Sequence, residues 1–200
     1  MESVPLRQIR AAFDDNALTV YQAYSPAIAQ PALDARTFVA PFKRERMTWI
    51  KPSFRWMMYR SGWGKKPGQE RVLAVRIRRS GFEWALAHAC LSHYDRDLHP
   101  DAAAWKEQLR ASPVRIQWDP ERSTNQQELS HRAIQIGLTG EAVHRYVDDW
   151  IVDITDATAL AHEAHALVRA GDPAKADTLI PAEQPYPLPE HLRARIHASA

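Results

Sequence analysis

The sequence predicts an α+β fold: a single compact domain with a mostly antiparallel, split sheet and peripheral helices. Three observations carry that expectation. At 200 residues the chain has the length of one domain. Short stretches rich in β-branched and aromatic residues mix with helical stretches, without regular βαβ spacing. Neither G-x-G-x-x-G nor G-x-x-x-x-G-K-[ST] occurs, which disfavours a doubly wound nucleotide-binding sheet.

The elements follow in order. Leu18–Ser25 (LTVYQAYS) reads as a strand. Ser25 then caps a short helix, PAIAQPAL, with Pro26 at its first position. Thr37–Pro41 and Met47–Lys51 read as short strands, and Pro52–Gly62 as a helix closed by Ser61-Gly62. Arg71–Arg78 alternates apolar and basic residues, the pattern of a half-exposed strand. Phe82–Leu91 and Asp101–Ala111 read as helices, with a loop between them. Pro113–Asp119 and Ala133–Leu138 are strands around a polar loop, Pro120–Ser130. Val143, Val147 and Trp150 have helical spacing, Ile151–Ile154 is a strand, and Asp156–Ala170 is a helix stopped by Gly171. The domain is expected over residues 1–180, with a Pro-rich extended arm over 181–200.

Composition excludes several classes. Hydrophobic residues make up 45% and charged residues 25%, which is globular material. No run of about 18 apolar residues exists, so no membrane partner is expected. The one cysteine, Cys90, cannot form an internal disulfide, and the N-terminus lacks an apolar leader; both suit the cytoplasm. Cys90 lies in an apolar stretch and reads as a small buried hydrophobe. His162 and His165 have the wrong spacing for a zinc helix, and no metal is expected.

The net charge of +2 conceals a segregation. Lys43 to Arg79 holds 12 basic and two acidic residues, so the rest of the chain carries a balance of −8. Trp49, Phe54, Trp56, Tyr59 and Trp63 lie within the same stretch. Interleaved cations and aromatics suit a phosphate-bearing ligand, either a nucleotide or a nucleic acid. A solvated basic face over a buried aromatic core has the same pattern.

Polar residues also stand among core positions. Gln22 sits between aromatic residues in an apolar strand, so its amide must bond to backbone or face a cleft. Lys51, Ser53 and Arg60 are hard to place as core. Arg115 and Gln117 share one strand face, as do His131, Ala133 and Gln135. A cleft wall and an ordinary solvated sheet face both fit them.

The segments MTWIKPSFRWMMYRSGWG, VRIQWDPER and HRAIQIGLTGEAVHRYVDDWIVDITD resemble a bacterial and fungal family of domains of unknown function, the one numbered 4291. That resemblance runs over most of residues 1–185 and carries no function. A remoter one does. VYQAYSPAIAQPAL looks like the first strand and helix of the ADP-ribosyltransferase superfamily. TWIKPSFRWMMYRSG followed by RVLAVRIRR looks like the next core element of its DNA-modifying branch. The resemblance implies an ADP-ribosyltransferase-like fold with NAD bound as substrate and ADP-ribose passed to nucleic acid or protein. The family's usual His or Arg of the first strand is Gln22 here. The expected catalytic glutamate is Glu141, with Glu121 second, and Gln22 and Gln135 complete the catalytic candidates. Tyr21, Tyr24, Trp49, Lys51, Ser53, Trp56 and Arg60 form the expected NAD-binding set, with Arg55 as a further pyrophosphate cation. A carboxylate near the anomeric carbon would stabilise the cationic sugar formed on loss of nicotinamide. A non-catalytic nucleic-acid module using residues 43–79 and a protein-interaction domain are the alternatives.

Overall fold

The computed structural model describes residues 4–199; the domain expectation at 1–3 and 200 lies outside these residues. The chain opens with β1 (Arg10–Ala11), β2 (Ala17–Tyr24), α1 (Pro26–Ala35), β3 (Thr48–Ile50) and α2 (Phe54–Ser61). It continues through β4 (Arg71–Arg78), α3 (Arg79–Ala87), β5 (Ala89–Leu91), α4 (Ala102–Ala111), β6 (Val114–Arg122) and β7 (Glu128–Leu138). Next come α5 (Glu141–Arg145), a π-helical turn over Tyr146–Trp150, and β8 (Ile151–Asp156). The chain ends with α6 (Thr158–Arg169), α7 (Pro173–Leu179), β9 (Gln184–Pro185) and α8 (Glu190–Ile196).

The fold is α+β and the main sheet is split. One half is antiparallel, in the order β2-β4-β8. The other has the order β3-β7-β6-β5, antiparallel except for the β5–β6 pair. The halves meet where the Tyr21 N–H donates to the Lys51 carbonyl at 2.7 Å. That bridge brings polar residues of two segments together: Lys51 is in it and Gln22 is the next residue after Tyr21.

The period-two pattern explains the layering. Leu18, Val20, Leu73, Val75, Ile77 and Ile154 face the main core, together with Ile50, Ile116, Ile134 and Ile136 of the second half-sheet. Tyr21 and Val72 face the opposite way, into a smaller core with Phe54, Met57 and Met58 of α2 and Ala161 and Ala164 of α6. The first half-sheet is therefore covered on both faces. The second buries its even-numbered face and leaves Gln117 and Gln135 on the other.

Local chemistry sets α2 where expected. Ser53 caps it by accepting from the Trp56 N–H at 3.1 Å, and Gly62 ends it in a left-handed conformation at φ +59°. Several expectations need correction. Thr37–Pro41 forms no strand; Phe38 is fully buried there but the segment has no ladder partner. Phe82–Leu91 divides: the helix starts earlier and ends at Ala87, and 89–91 pairs with β6. Much of the polar loop 120–130 is strand, because β6 and β7 extend to the Arg122–Glu128 pair. The expected extended arm over 181–200 is, across its described residues 181–199, more than that: β9 pairs with β1, and Tyr186, Leu192 and Ile196 enter the main core.

Candidate functional site

The free face of the second half-sheet, the end of β2 and the end of α2 enclose a cleft of about 550 Å³. That volume suits a small-molecule ligand. Gln117 and Gln135 are directly paired across β6 and β7. Ile50 pairs with Ile136, so Lys51, one residue on, comes level with Gln135. The floor is thus a polar row across three neighbouring chain segments, Lys51, Gln135 and Gln117, all lining the cleft.

Asp119 orients the two amides. Its Oδ1 accepts from Gln117 Nε2 at 2.8 Å and its Oδ2 from Gln135 Nε2 at 2.7 Å. A carboxylate only accepts, so both amino groups must face it. Both amide oxygens are left available to accept from a ligand. Gln22 is differently committed. Its Nε2 donates to the Tyr24 hydroxyl at 2.9 Å and the Trp49 carbonyl at 3.2 Å, while its Oε1 accepts from Tyr146 at 2.7 Å. Gln22 shapes the cleft as a satisfied buried amide, so it unites the two readings of its sequence position.

Lys51 is 6% exposed. Its Nζ donates to the Trp49 carbonyl at 3.3 Å and lies 5.6 Å from the centre of the Trp56 ring. Among the described residues no carboxylate lies within ion-pair distance. Burial, followed by the repulsion of Arg60, pulls its pKa down to about 7, and the more distant Asp119 opposes them. Burial also pushes the Tyr24 phenol up to about 12.

The cleft does not end at Tyr24. An adjoining cavity of about 330 Å³, walled by Ile28, Pro41 and Phe42, shares Tyr24, Arg46, Met47 and Thr48 with it. Arg46 therefore stands at the junction of two lobes, and Arg60 at the rim of the larger one. Residues 8–186 match the family model described as domain of unknown function (DUF4291). The chain belongs to this family. A search of curated proteins returns no match for this DUF4291 chain.

Of the expected site residues, the DUF4291 cleft brings together Gln22, Tyr24, Trp49, Lys51, Arg60 and Gln135. Four others lie elsewhere. Tyr21 is core, edge-on to Phe54 at 5.3 Å. Ser53 is the α2 cap. Trp56 is buried beneath Lys51 and does not line the cleft. Glu141 is exposed at the start of α5, bound by Arg145 at 2.7 Å, and does not line the cleft either. A glutamate one turn from its partner arginine on a surface helix has no reason to turn inward. The second candidate, Glu121, lines a different cavity with Glu183 and Arg55. Sequence reading missed Arg46 and Asp119. The first sits in a turn without a pattern. The second could have been found, since it shares the face of Gln117 by simple alternation.

The basic segment of this DUF4291 chain is partly neutralised by carboxylates elsewhere in the chain. Arg44, Arg55, Arg71 and Arg76 pair with Asp148, Asp177, Asp156 and Asp14. Arg79 pairs with Glu83, and Arg78 donates to the Asp149 carbonyl. Seven of the twelve cations are without an ion pair among the described residues, and three of them, Arg46, Lys51 and Arg60, line the cleft. Among the described residues no group of three or more His, Cys, Asp or Glu is placed to hold a metal, and no helix is long and apolar enough to cross a membrane.

Proposed function

We propose that the two-lobed cleft binds a nucleotide, with a dinucleotide of the NAD class as the ligand that fills both lobes. The observation that carries this reading is the position of Arg46. A cation at the junction of two lobes suits a pyrophosphate, the group that joins the two halves of a dinucleotide. The smaller lobe offers Phe42 and Tyr24 to a base. The larger lobe offers Trp49 and the oriented amide oxygens of Gln117 and Gln135, acceptors for a carboxamide N–H or a ribose hydroxyl. Arg60 supplies a second phosphate contact at the rim.

The reading is of binding. Transfer of ADP-ribose to nucleic acid or protein needs a carboxylate at the anomeric carbon, and no residue lining the cleft is a carboxylate. Asp119 is the carboxylate closest in the bonding network, and both of its oxygens are held by glutamines.

Thermal unfolding with NAD, ADP-ribose and AMP tests the reading. A ligand at about 100 times its Kd stabilises by about 2.7 kcal/mol, which raises Tm by several degrees in a chain of this size. Arg46→Ala is expected to abolish most of the shift for NAD and ADP-ribose and less of it for AMP. No shift with any of the three at millimolar concentration overturns the proposal.

A further inference from the structure

Lys51 is an unusual floor for an anion site. A lysine that serves as a phosphate cation normally keeps its charge by hydration or by a carboxylate partner. Lys51 has no carboxylate within ion-pair distance among the described residues, and only 6% of it is exposed. It is buried, its one hydrogen bond goes to the Trp49 carbonyl, and its nearest ring is the face of Trp56. The charges that face it are Arg60 from α2, which opposes protonation, and Asp119 from β6, which favours it but is committed to two glutamines. Its amine nevertheless lines a cleft large enough to admit a sugar. A desolvated lysine beside another cation is a nucleophile in the making, because the neutral amine carries the lone pair that attacks carbonyl carbon.

We propose that Lys51 captures the open-chain aldehyde of a phosphorylated aldose, of the ribose 5-phosphate or ADP-ribose class, as an imine. The inference shares the cleft with the nucleotide reading and deepens it by naming the reactive end of the ligand. The nitrogen lone pair of Lys51 forms the C–N bond as the carbonyl π electrons move to oxygen. A proton passes from nitrogen to that oxygen through solvent, giving the carbinolamine. The hydroxyl then leaves as water while C=N forms. One amine and one aldehyde give one imine and one water, with no oxidant or reductant. Arg60, at the same rim, would hold the phosphate, while the Gln117 and Gln135 oxygens would accept from the sugar hydroxyls. Lowering of the Lys51 pKa to about 7 leaves a large share of neutral amine at physiological pH, where an exposed lysine near 10.4 has almost none.

Reductive trapping decides it. The full chain is incubated with ribose 5-phosphate and cyanoborohydride at pH 7, and modified lysines are located by peptide mass spectrometry. Parallel samples receive phosphate-free ribose, and AMP binding is followed separately by calorimetry. The expected result is one saturable adduct at Lys51, roughly tenfold or more above any exposed lysine. It is absent in Lys51→Met, weakened in Arg60→Ala, and weaker with ribose. Circular dichroism and the melting curve of Lys51→Met establish that it is folded. Adducts spread over Lys43, Lys65, Lys66, Lys106 and Lys175 with no excess at Lys51 overturn the inference. AMP binding without a Lys51 adduct removes the inference and leaves the nucleotide reading standing. A Lys51 adduct without AMP or NAD binding does the reverse.

Discussion

Tyr146 donates its hydroxyl to Oε1 of Gln22 at 2.7 Å, from a ring that is fully buried. This bond ties the π-helical turn to the strand that walls the cleft. It fixes which end of the Gln22 amide is which, so that Nε2 must serve Tyr24 and the Trp49 carbonyl. Loss of the hydroxyl leaves a buried amide oxygen without its partner, which costs about 1–3 kcal/mol. Tyr146→Phe is expected to lower the urea midpoint accordingly, with the m-value unchanged. A variant as stable as the parent would show that Gln22 is held by its other two bonds alone.

Gly137 lies beneath the Trp49 ring. A Cβ built there would sit 3.0 Å from two ring carbons and 3.1 Å from the Met47 sulfur. Trp49 and Gly137 are cross-strand partners, so the ring lies over the one position of β7 with no side chain to hold it off. Gly137→Ala is expected to tilt Trp49 into the cleft. The measurement is ligand affinity: a loss of about tenfold for NAD, with a drop in stability of about 1 kcal/mol from crowding. An unaffected affinity would mean that Trp49 does not bound the occupied volume.

The α+β class, the split sheet and most element positions were legible because period-two alternation and caps are local signals. The Ser53 cap and the Gly62 stop are examples. The polar floor was half legible. Alternation placed Gln117 and Gln135 on one kind of face, but nothing local says that Lys51 continues their row. That depends on the β3–β7 register, which is a long-range fact. Glu141 misled for the complementary reason: proximity to a strand end in sequence says nothing of which way the following helix turns its first residue. The twelve cations of 43–79 misled in part because their partners, Asp14, Asp148, Asp156 and Asp177, are distant in sequence.

Gly81 in α3 faces Trp150 so closely that a Cβ there would come within 2.2 Å of the indole Cγ. Both are buried, and the contact holds α3 against the π-helical turn. Overpacking of this kind costs about 1–3 kcal/mol or more. Gly81→Ala is therefore expected to destabilise the chain even though alanine favours a helix by about 1 kcal/mol. A variant more stable than the parent would mean that the indole moves freely.

Lys51 gives a pH-dependent prediction. Its pKa is about 7 in the folded chain against 10.5 for the ordinary side chain, so the unfolded chain binds an extra proton between those values. Folding stability from this group is therefore lowest below about pH 7 and recovers as pH rises to 10.5. Lys51→Met removes the burial cost and is expected to stabilise by a few kcal/mol at pH 7, about 1.4 kcal/mol for each unit by which the pKa was lowered at most. Urea titrations of parent and variant at pH 6.5, 8 and 9.5 should show the gain shrinking steadily. A gain that does not change with pH would place the stabilisation in packing and not in the proton.

Glu183 runs the opposite way. Its carboxylate accepts from the Phe54 N–H at 2.7 Å at the start of α2, yet burial, together with the repulsion of Glu121, pushes its pKa up to about 8 from 4.5. Between pH 4.5 and 8 the folded chain holds a proton that the unfolded chain has released, so this group's contribution is full below pH 4.5 and is lost as pH rises through 8. Glu183→Gln keeps an acceptor for the Phe54 N–H and removes the titration. The urea midpoint of the variant relative to the parent is expected to climb from pH 5 to pH 8.5 and then level off. A difference that falls over that range would mean that the charged carboxylate is the better cap for α2, and that Arg10 and Arg55 outweigh its burial.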